Sequence, residues 1–155
     1  MAAAGSFHPS AAAPRRQRGM MLIEALIALL IFSIGILGII GLQASAVQQS
    51  TDARNRAEAA YLADQLMGRM WVDNRNVANL QAKYQSCGSS CIGYWAWYGT
   101  VKATLPGVAD NVADTQPQVS VDGAGIVTIS LFWRATSDSA TTPPHRYDIQ
   151  AQIAQ

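Results

Sequence analysis

The chain has 155 residues, of which half are apolar, and its 11 Lys and Arg nearly balance its 10 Asp and Glu. That length allows one modest domain, and a net charge of +1 excludes the strongly basic surface typical of nucleic-acid binding. Two cysteines allow a single disulfide, which excludes both a disulfide-rich miniature fold and a zinc site of four cysteines. No metal or other cofactor is predicted.

The first 19 residues are too poor in large apolar side chains to form a core. They are rich in Ala, Gly, Ser and Pro, and their basic residues are Arg15, Arg16 and Arg18. Segments of this composition do not bury enough apolar surface to offset the entropy of ordering the chain. We expect no domain here, and the three arginines bear on membrane orientation instead.

An apolar run follows from Met20 to Leu42 and contains one charged residue, Glu24. A helix needs roughly 20 apolar residues to span a bilayer, whereas the apolar part of a secretory signal has about 7 to 15. The run therefore predicts one transmembrane helix. Because positive residues stay on the cytoplasmic side, the preceding arginines predict a cytoplasmic amino terminus and export of the chain after Leu42.

Two other export signals fit parts of this region. Ala44-Ser45-Ala46 has the small-x-small pattern of a signal peptidase site, which would release a soluble protein beginning at Val47. Arg15-Arg16 would suit a twin-arginine signal. The length of the apolar run and its acidic residue argue against the first alternative, and its strong hydrophobicity argues against the second.

Glu24 is an unusual residue for such a segment. A carboxylate near the bilayer centre costs at least about 2.5 kcal/mol on insertion scales, so it usually marks a partner or a proton path. Glu24 lies near the cytoplasmic end of the run, where snorkelling lowers that cost. An acid merely tolerated at the interface is therefore the alternative to a functional one.

The residues around Glu24, Arg-Gly-Met-Met-Leu-Ile-Glu at 18–24 followed by an apolar stretch, resemble the class III leader junction of type IV pilins. The resemblance implies that a prepilin peptidase cuts after Gly19 and methylates the new amino terminus at Met20. Residues 1–19 would then be the leader peptide. It also implies that the Glu24 carboxylate pairs with the terminal amine of a neighbouring subunit in a filament. Glycine suits a cut site because it has no Cβ to hinder a protease.

From Gln43 onward the pattern becomes amphipathic without an obvious break. Apolar residues recur at intervals of three and four and form one stripe: Ala59, Leu62, Ala63, Leu66, Met67 and Met70. We predict one helix from about Met21 to about Trp71, ending at the turn-forming residues 73–76. Its second half, residues 43–72, belongs to the exported head of residues 43–155.

Residues 38–43, 59–70 and 74–75 are similar to the minor pilins known as type IV pilus modification protein PilV. The shared features are a Gly-Leu-Gln exit from the apolar run, a later Arg-Met and an Asn-Arg pair. The resemblance implies a minor pilin that starts or caps a fibre together with other minor pilins and the major pilin. A minor pseudopilin of type II secretion and a permanently anchored envelope binding protein are the alternatives.

Cys87 and Cys91 fall on the oxidising side of the membrane if the head is exported. A separation of four residues suits a local disulfide across a Gly-Ser-Ser turn. Two separate reduced thiols and a bridge between subunits are the alternatives.

Four aromatic residues follow within positions 94–98. An apolar residue at every fourth position from Trp97 to Leu105 predicts a short helix that ends before Pro106, although the aromatic segment also fits strand alternation. Trp95 and Trp97 are candidates for a surface that docks another pilin or a tip adhesin, because aromatic anchors are favoured at interaction surfaces. Core packing is the alternative for such residues.

The carboxyl-terminal part predicts a small antiparallel sheet. A glycine turn at 123–125 joins residues 119–122 to the apolar strand 126–133, and residues 146–153 alternate again. We expect three or four strands between about 118 and 155, packed on the exported half of the long helix. The predicted fold class is α+β and pilin-like, and no catalytic motif indicates an enzyme.

Overall fold

The computed structural model describes residues 18–87, 90–139 and 141–154. Its first element, α1, is one helix from Arg18 to Val72, which confirms the predicted helix from Met21 to Trp71. The segment contains no proline and is rich in Leu, Ala, Met and Gln, residues that favour helix. The chain divides after Ser45 into two compact units, which are described separately below.

Two shorter helices follow in the second unit. The first, α2, runs from Val77 to Tyr84 and begins at Asn76, whose side chain accepts a hydrogen bond from the backbone N–H of Ala78 at 3.0 Å. The second, α3, runs from Ile92 to Thr104. It confirms the helical interpretation of the aromatic segment over the strand interpretation.

Three strands form one antiparallel sheet in the order β1-β2-β3. They are β1 from Gln118 to Val121, β2 from Ile126 to Trp133 and β3 from His145 to Gln152. The turn between β1 and β2 needs glycine, because Gly125 has a φ of 79° and a Cβ there would lie 2.5 Å from the Cβ of Ala154. The predicted hairpin and the α+β, pilin-like class are confirmed.

One apolar core joins α1, α2, α3 and the sheet. All six residues of the predicted α1 stripe are buried: Ala59, Leu62, Ala63, Leu66, Met67 and Met70. The largest fully buried side chain is that of Trp97, whose indole N–H donates to the backbone oxygen of Leu62 at 2.9 Å. This contact ties α3 directly to the stripe of α1.

The end of α1 is held by a carboxylate cluster. Asp73 accepts hydrogen bonds from the Lys83 ammonium, from the Tyr84 hydroxyl at 2.6 Å and from the backbone N–H of Asn74 at 2.8 Å. The bond from Lys83, followed by those from Tyr84 and Asn74, lowers the pKa of Asp73 from 3.8 to about 2. The cluster thus links the end of α1 to the last turn of α2.

We expect Trp97→Ala to lower the free energy of unfolding by about 3–5 kcal/mol, because it leaves a cavity in the core. Trp95→Ala is the matched control, since Trp95 is 41% exposed, and should lower it by only about 1 kcal/mol. Urea denaturation of the detergent-solubilised chain, followed by near-ultraviolet circular dichroism, measures both effects. Equal losses would contradict the core position of Trp97.

We expect Asp73→Asn to make the stability of the chain less dependent on pH in the acid range. Because the folded-state pKa of Asp73 lies near 2 rather than 3.8, its stabilising contribution is present above about pH 4 and is lost as the pH falls towards 2. The wild-type chain should therefore lose more stability than the variant over that interval, while the variant is less stable at pH 7. Thermal denaturation between pH 2 and pH 7 tests this, and parallel profiles would refute it.

Candidate functional site

The amino-terminal half of α1 exposes all its apolar side chains. From Met20 to Leu42 every side chain is exposed, with Leu37 and Leu42 each at 74%. Among the described residues, α1 is the one helix long and apolar enough to cross a membrane, with a mean hydropathy of 2.8 in its most apolar window. An apolar surface of this length has to be covered by lipid or by other helices.

Glu24 lies on one apolar face of this helix. It lines a shallow groove of about 410 Å³ with Met20, Ile23, Ile27 and Ala28, which share the face because they are three or four residues apart. The neighbouring positions on the helix therefore supply no cation. A charged carboxylate in such a groove is unfavourable once water is removed, unless a positive partner from outside the helix pairs with it.

The predicted processing site lies at the start of α1. Gly19 and Met20 are in the first turn, and Met20 is one helical turn before Glu24. At about 1.5 Å per residue, the Met20 nitrogen and the Glu24 backbone are separated by about 6 Å along the axis. Arg15 and Arg16 lie outside the described residues, as does the Arg18 side chain.

Three glycines leave the backbone of this helix accessible to a neighbouring helix. At Gly35, Gly38 and Gly41 a Cβ would meet nothing within 4 Å, so no part of the described chain covers these positions. Small residues at such spacing let a second helix approach closely in an apolar medium. The same half of the helix thus carries both a carboxylate and a surface suited to helix packing.

In the second unit, Cys87 and Cys91 form a disulfide, with a Cα–Cα distance of 6.1 Å. That distance is within the usual range for the bond. The structure therefore supports the local bridge over two free thiols or a bridge between subunits. The bridge connects the residues after α2 to the start of α3, and Gly88 and Ser89 between the two cysteines lie outside the described residues.

The two candidate interaction residues have different surroundings. Trp97 is fully buried, so its indole is not available as a surface. Trp95 is 41% exposed and meets Tyr94 and Tyr98 edge to face, at centroid distances of 5.5 and 5.3 Å. Ile92, one turn earlier on α3, is 78% exposed and was missed by sequence reasoning, because burial around a short helix cannot be read from composition.

Comparison with protein families matches the beginning of the chain. Residues 14–40 match the family described as the prokaryotic N-terminal methylation motif, and the matched stretch includes Gly19, Met20 and Glu24. Neither the curated proteins nor the solved structures give a match. The motif implies processing by a prepilin peptidase, membrane anchoring and later assembly with other pilins into a pilus. Together with the apolar helix and the small antiparallel sheet, it supports a pilin-family protein, and the members of that motif family are structural subunits.

Proposed function

We propose that this chain is a minor pilin that takes part in starting or capping a type IV pilus. The observation that carries the proposal is the methylation motif at residues 14–40, because it coincides with an exposed apolar helix whose one carboxylate is Glu24. A pilin-like or pseudopilin function follows from the motif. The assignment to a minor pilin of a type IV pilus goes one step beyond what the motif supports.

The proposed maturation begins in the inner membrane. The peptidase cuts after Gly19, releases residues 1–19 and methylates Met20, while residues 20–42 remain in the bilayer and residues 43–155 form the periplasmic head. Support comes from the basic residues before the apolar run, which favour a cytoplasmic leader. The mature helix can then leave the lipid for the core of a fibre without losing its apolar surroundings.

The Glu24 carboxylate is proposed to pair with the methylated amine of Met20 on a neighbouring subunit. Its own helix surrounds it with apolar side chains, so a lone carboxylate is unfavourable when water is excluded. Pairing with a terminal amine offsets two buried charges at once, and the loss of either partner leaves the other uncompensated. The carboxylate thus favours assembly over isolation in lipid.

The minor-pilin assignment and its PilV subgroup rest on the resemblance in residues 38–43, 59–70 and 74–75. Other minor pilins and the major pilin are the proposed partners, with a tip adhesin as a further one, and the exposed Trp95 is the proposed contact residue on α3. A minor pseudopilin of type II secretion shares the amino-terminal motif. Deleting the gene separates the two functions, because a pilin mutant loses pili and keeps secretion whereas a pseudopilin mutant shows the reverse.

We expect Glu24→Ala to insert and be processed normally but to enter fibres at least about tenfold less often. Removing one partner of a buried ion pair typically costs about 3–5 kcal/mol, and 1.4 kcal/mol already corresponds to tenfold. Counting the tagged subunit in sheared pili by immunoblot measures incorporation. Glu58→Ala is the control, since Glu58 pairs with Arg54 on the head half of α1. Normal incorporation of the Glu24 variant would exclude the proposed pair.

We expect Gly19→Leu to block maturation, because a side chain at this position hinders the close approach of the peptidase. Mass spectrometry should find methylated Met20 at the amino terminus of the wild-type chain and the uncut leader on the variant. Gly5→Leu, within the leader but far from the cut, should mature normally. An intact Met1 on the wild-type protein would instead support a permanently anchored envelope protein.

A further inference from the structure

The two edges of the sheet differ in how their backbone groups are used. Along the outer edge of β1, the oxygen of Val119 accepts from the Ser86 N–H at 2.9 Å, and the oxygen of Val121 accepts from the Gln81 side-chain amide at 2.9 Å. Just before the strand, the oxygen of Pro117 accepts from the Tyr94 hydroxyl at 2.7 Å. This edge is therefore covered by the rest of the head.

The opposite edge, β3, is open. The backbone groups of Val119 point away from β2, towards Ser86. In the alternating pattern of an antiparallel ladder, the backbone groups of Val127, Ile129 and Leu131 in β2 then point towards β3 and bond to it. A bond from the N–H of Ile153 to the oxygen of Gly125, at 3.0 Å, fits the same alternation. The N–H and C=O groups that face away from the sheet are then those of four residues: Arg146, Asp148, Gln150 and Gln152.

The described residues provide no further strand beside β3, which ends the sheet, and no backbone bond outside it involves those four residues. The side chains of β3 that face the core are also incompletely covered at this edge. Tyr147, Ile149 and Ala151 are half-buried, whereas their β2 partners Leu131, Ile129 and Val127 are fully buried. An additional strand would satisfy the backbone groups and cover the half-buried row in one step.

We propose that β3 is the contact through which two copies of this chain pair, antiparallel and around a two-fold axis at Ile149. In this register Arg146 lies opposite Gln152, and Asp148 lies opposite Gln150. No like charges face each other, and each of these pairs exchanges two backbone hydrogen bonds. On the core face the large Tyr147 lies opposite the small Ala151, and Ile149 meets its own copy.

Charge also disfavours one of the two neighbouring registers. Sliding one strand by two residues in one direction places Asp148 opposite Asp148, which is destabilising for a cross-strand pair. A slide by one residue moves every side chain to the wrong face. The strand is thus self-complementary in the register centred on Ile149.

The covered edge of β1 explains why the occupant is a second β3. A head-to-tail sheet would need the β1 edge of the next copy, which Ser86 and Gln81 occupy. Among the described strands, the edge that a second copy has available is β3 itself, so the contact closes as a two-fold dimer and does not extend into an endless sheet. This inference does not depend on the pilin function proposed above.

Cysteine cross-linking of the full chain in detergent micelles tests the register. The native cysteines are bonded to each other, so Ile149→Cys introduces the only free thiol. In the proposed dimer the two copies of position 149 form a non-hydrogen-bonded pair, with Cβ atoms about 4.5–5.5 Å apart, and mild oxidation should link them. Gln150→Cys is the control, because it lies opposite Asp148 and its own copy is beyond the roughly 7 Å limit on Cα separation. We expect at least about tenfold more linked dimer for position 149.

A proline variant tests the backbone bonds. Adding Gln150→Pro to Ile149→Cys removes an outward N–H and leaves the bonds between β2 and β3 intact, so cross-linking should fall at least about tenfold. Gln150→Ala keeps the N–H and should keep the cross-link. Both variants lose the same side-chain bond to Thr128, so they form a matched pair, and near-ultraviolet circular dichroism confirms their folding.

Hydrogen exchange of the unmutated chain provides a measurement that needs no variant. The outward amides of β3 should exchange more slowly as the protein concentration in the micelle rises, whereas amides of α2 should not change. Equal cross-linking at positions 149 and 150, equal cross-linking of the proline and alanine variants, or exchange independent of concentration would each overturn the proposal. Capture of a different protein at position 149 in place of a second copy would also overturn it.

Discussion

The structure depends on one constraint: the first half of α1 is a long apolar surface that no other described part of the chain covers. Every side chain from Met20 to Leu42 is exposed, so this segment requires lipid or other helices around it. In either surrounding Glu24 lacks a cation from its own helix face. In the proposed function a free amine on a neighbouring subunit supplies that cation, and the proposed removal of the leader produces such an amine at Met20.

The second unit solves the opposite problem, because it buries its apolar surface within itself. The stripe of α1, the indole of Trp97 and the inner face of β2 form one core. Hydrogen bonds to Asp73 hold the end of α1, and the covalent disulfide holds the segment before α3. The exposed apolar side chains of this unit include those of Ile92 and Trp95 on α3 and those of Tyr61 and Val72 on α1, and the backbone edge of β3 is open.

Much of the fold was predictable because it follows from local periodicity. Apolar residues recur at the period of one helix or one strand in three segments: the α1 stripe, the hairpin around Gly125 and the helix through Trp97. All three predicted elements are present. The helix α2 was not predicted, since eight residues give too few turns for periodicity to show. Asn76, which sequence reasoning assigned only to the end of α1, also caps α2, so one polar segment serves both helices.

By itself the sequence determined the apolar length from Met20 to Leu42, its single carboxylate and the processing motif, because each of these depends on consecutive residues. Only the tertiary structure decided that Trp97 is buried while Trp95 is exposed. It also decided that Asp73 meets Lys83 and Tyr84, and that one edge of the sheet is covered while the other is open. The physical reason is that burial and hydrogen bonding depend on which distant segments meet. The residues next to a position in the chain do not specify which residues lie next to it in space.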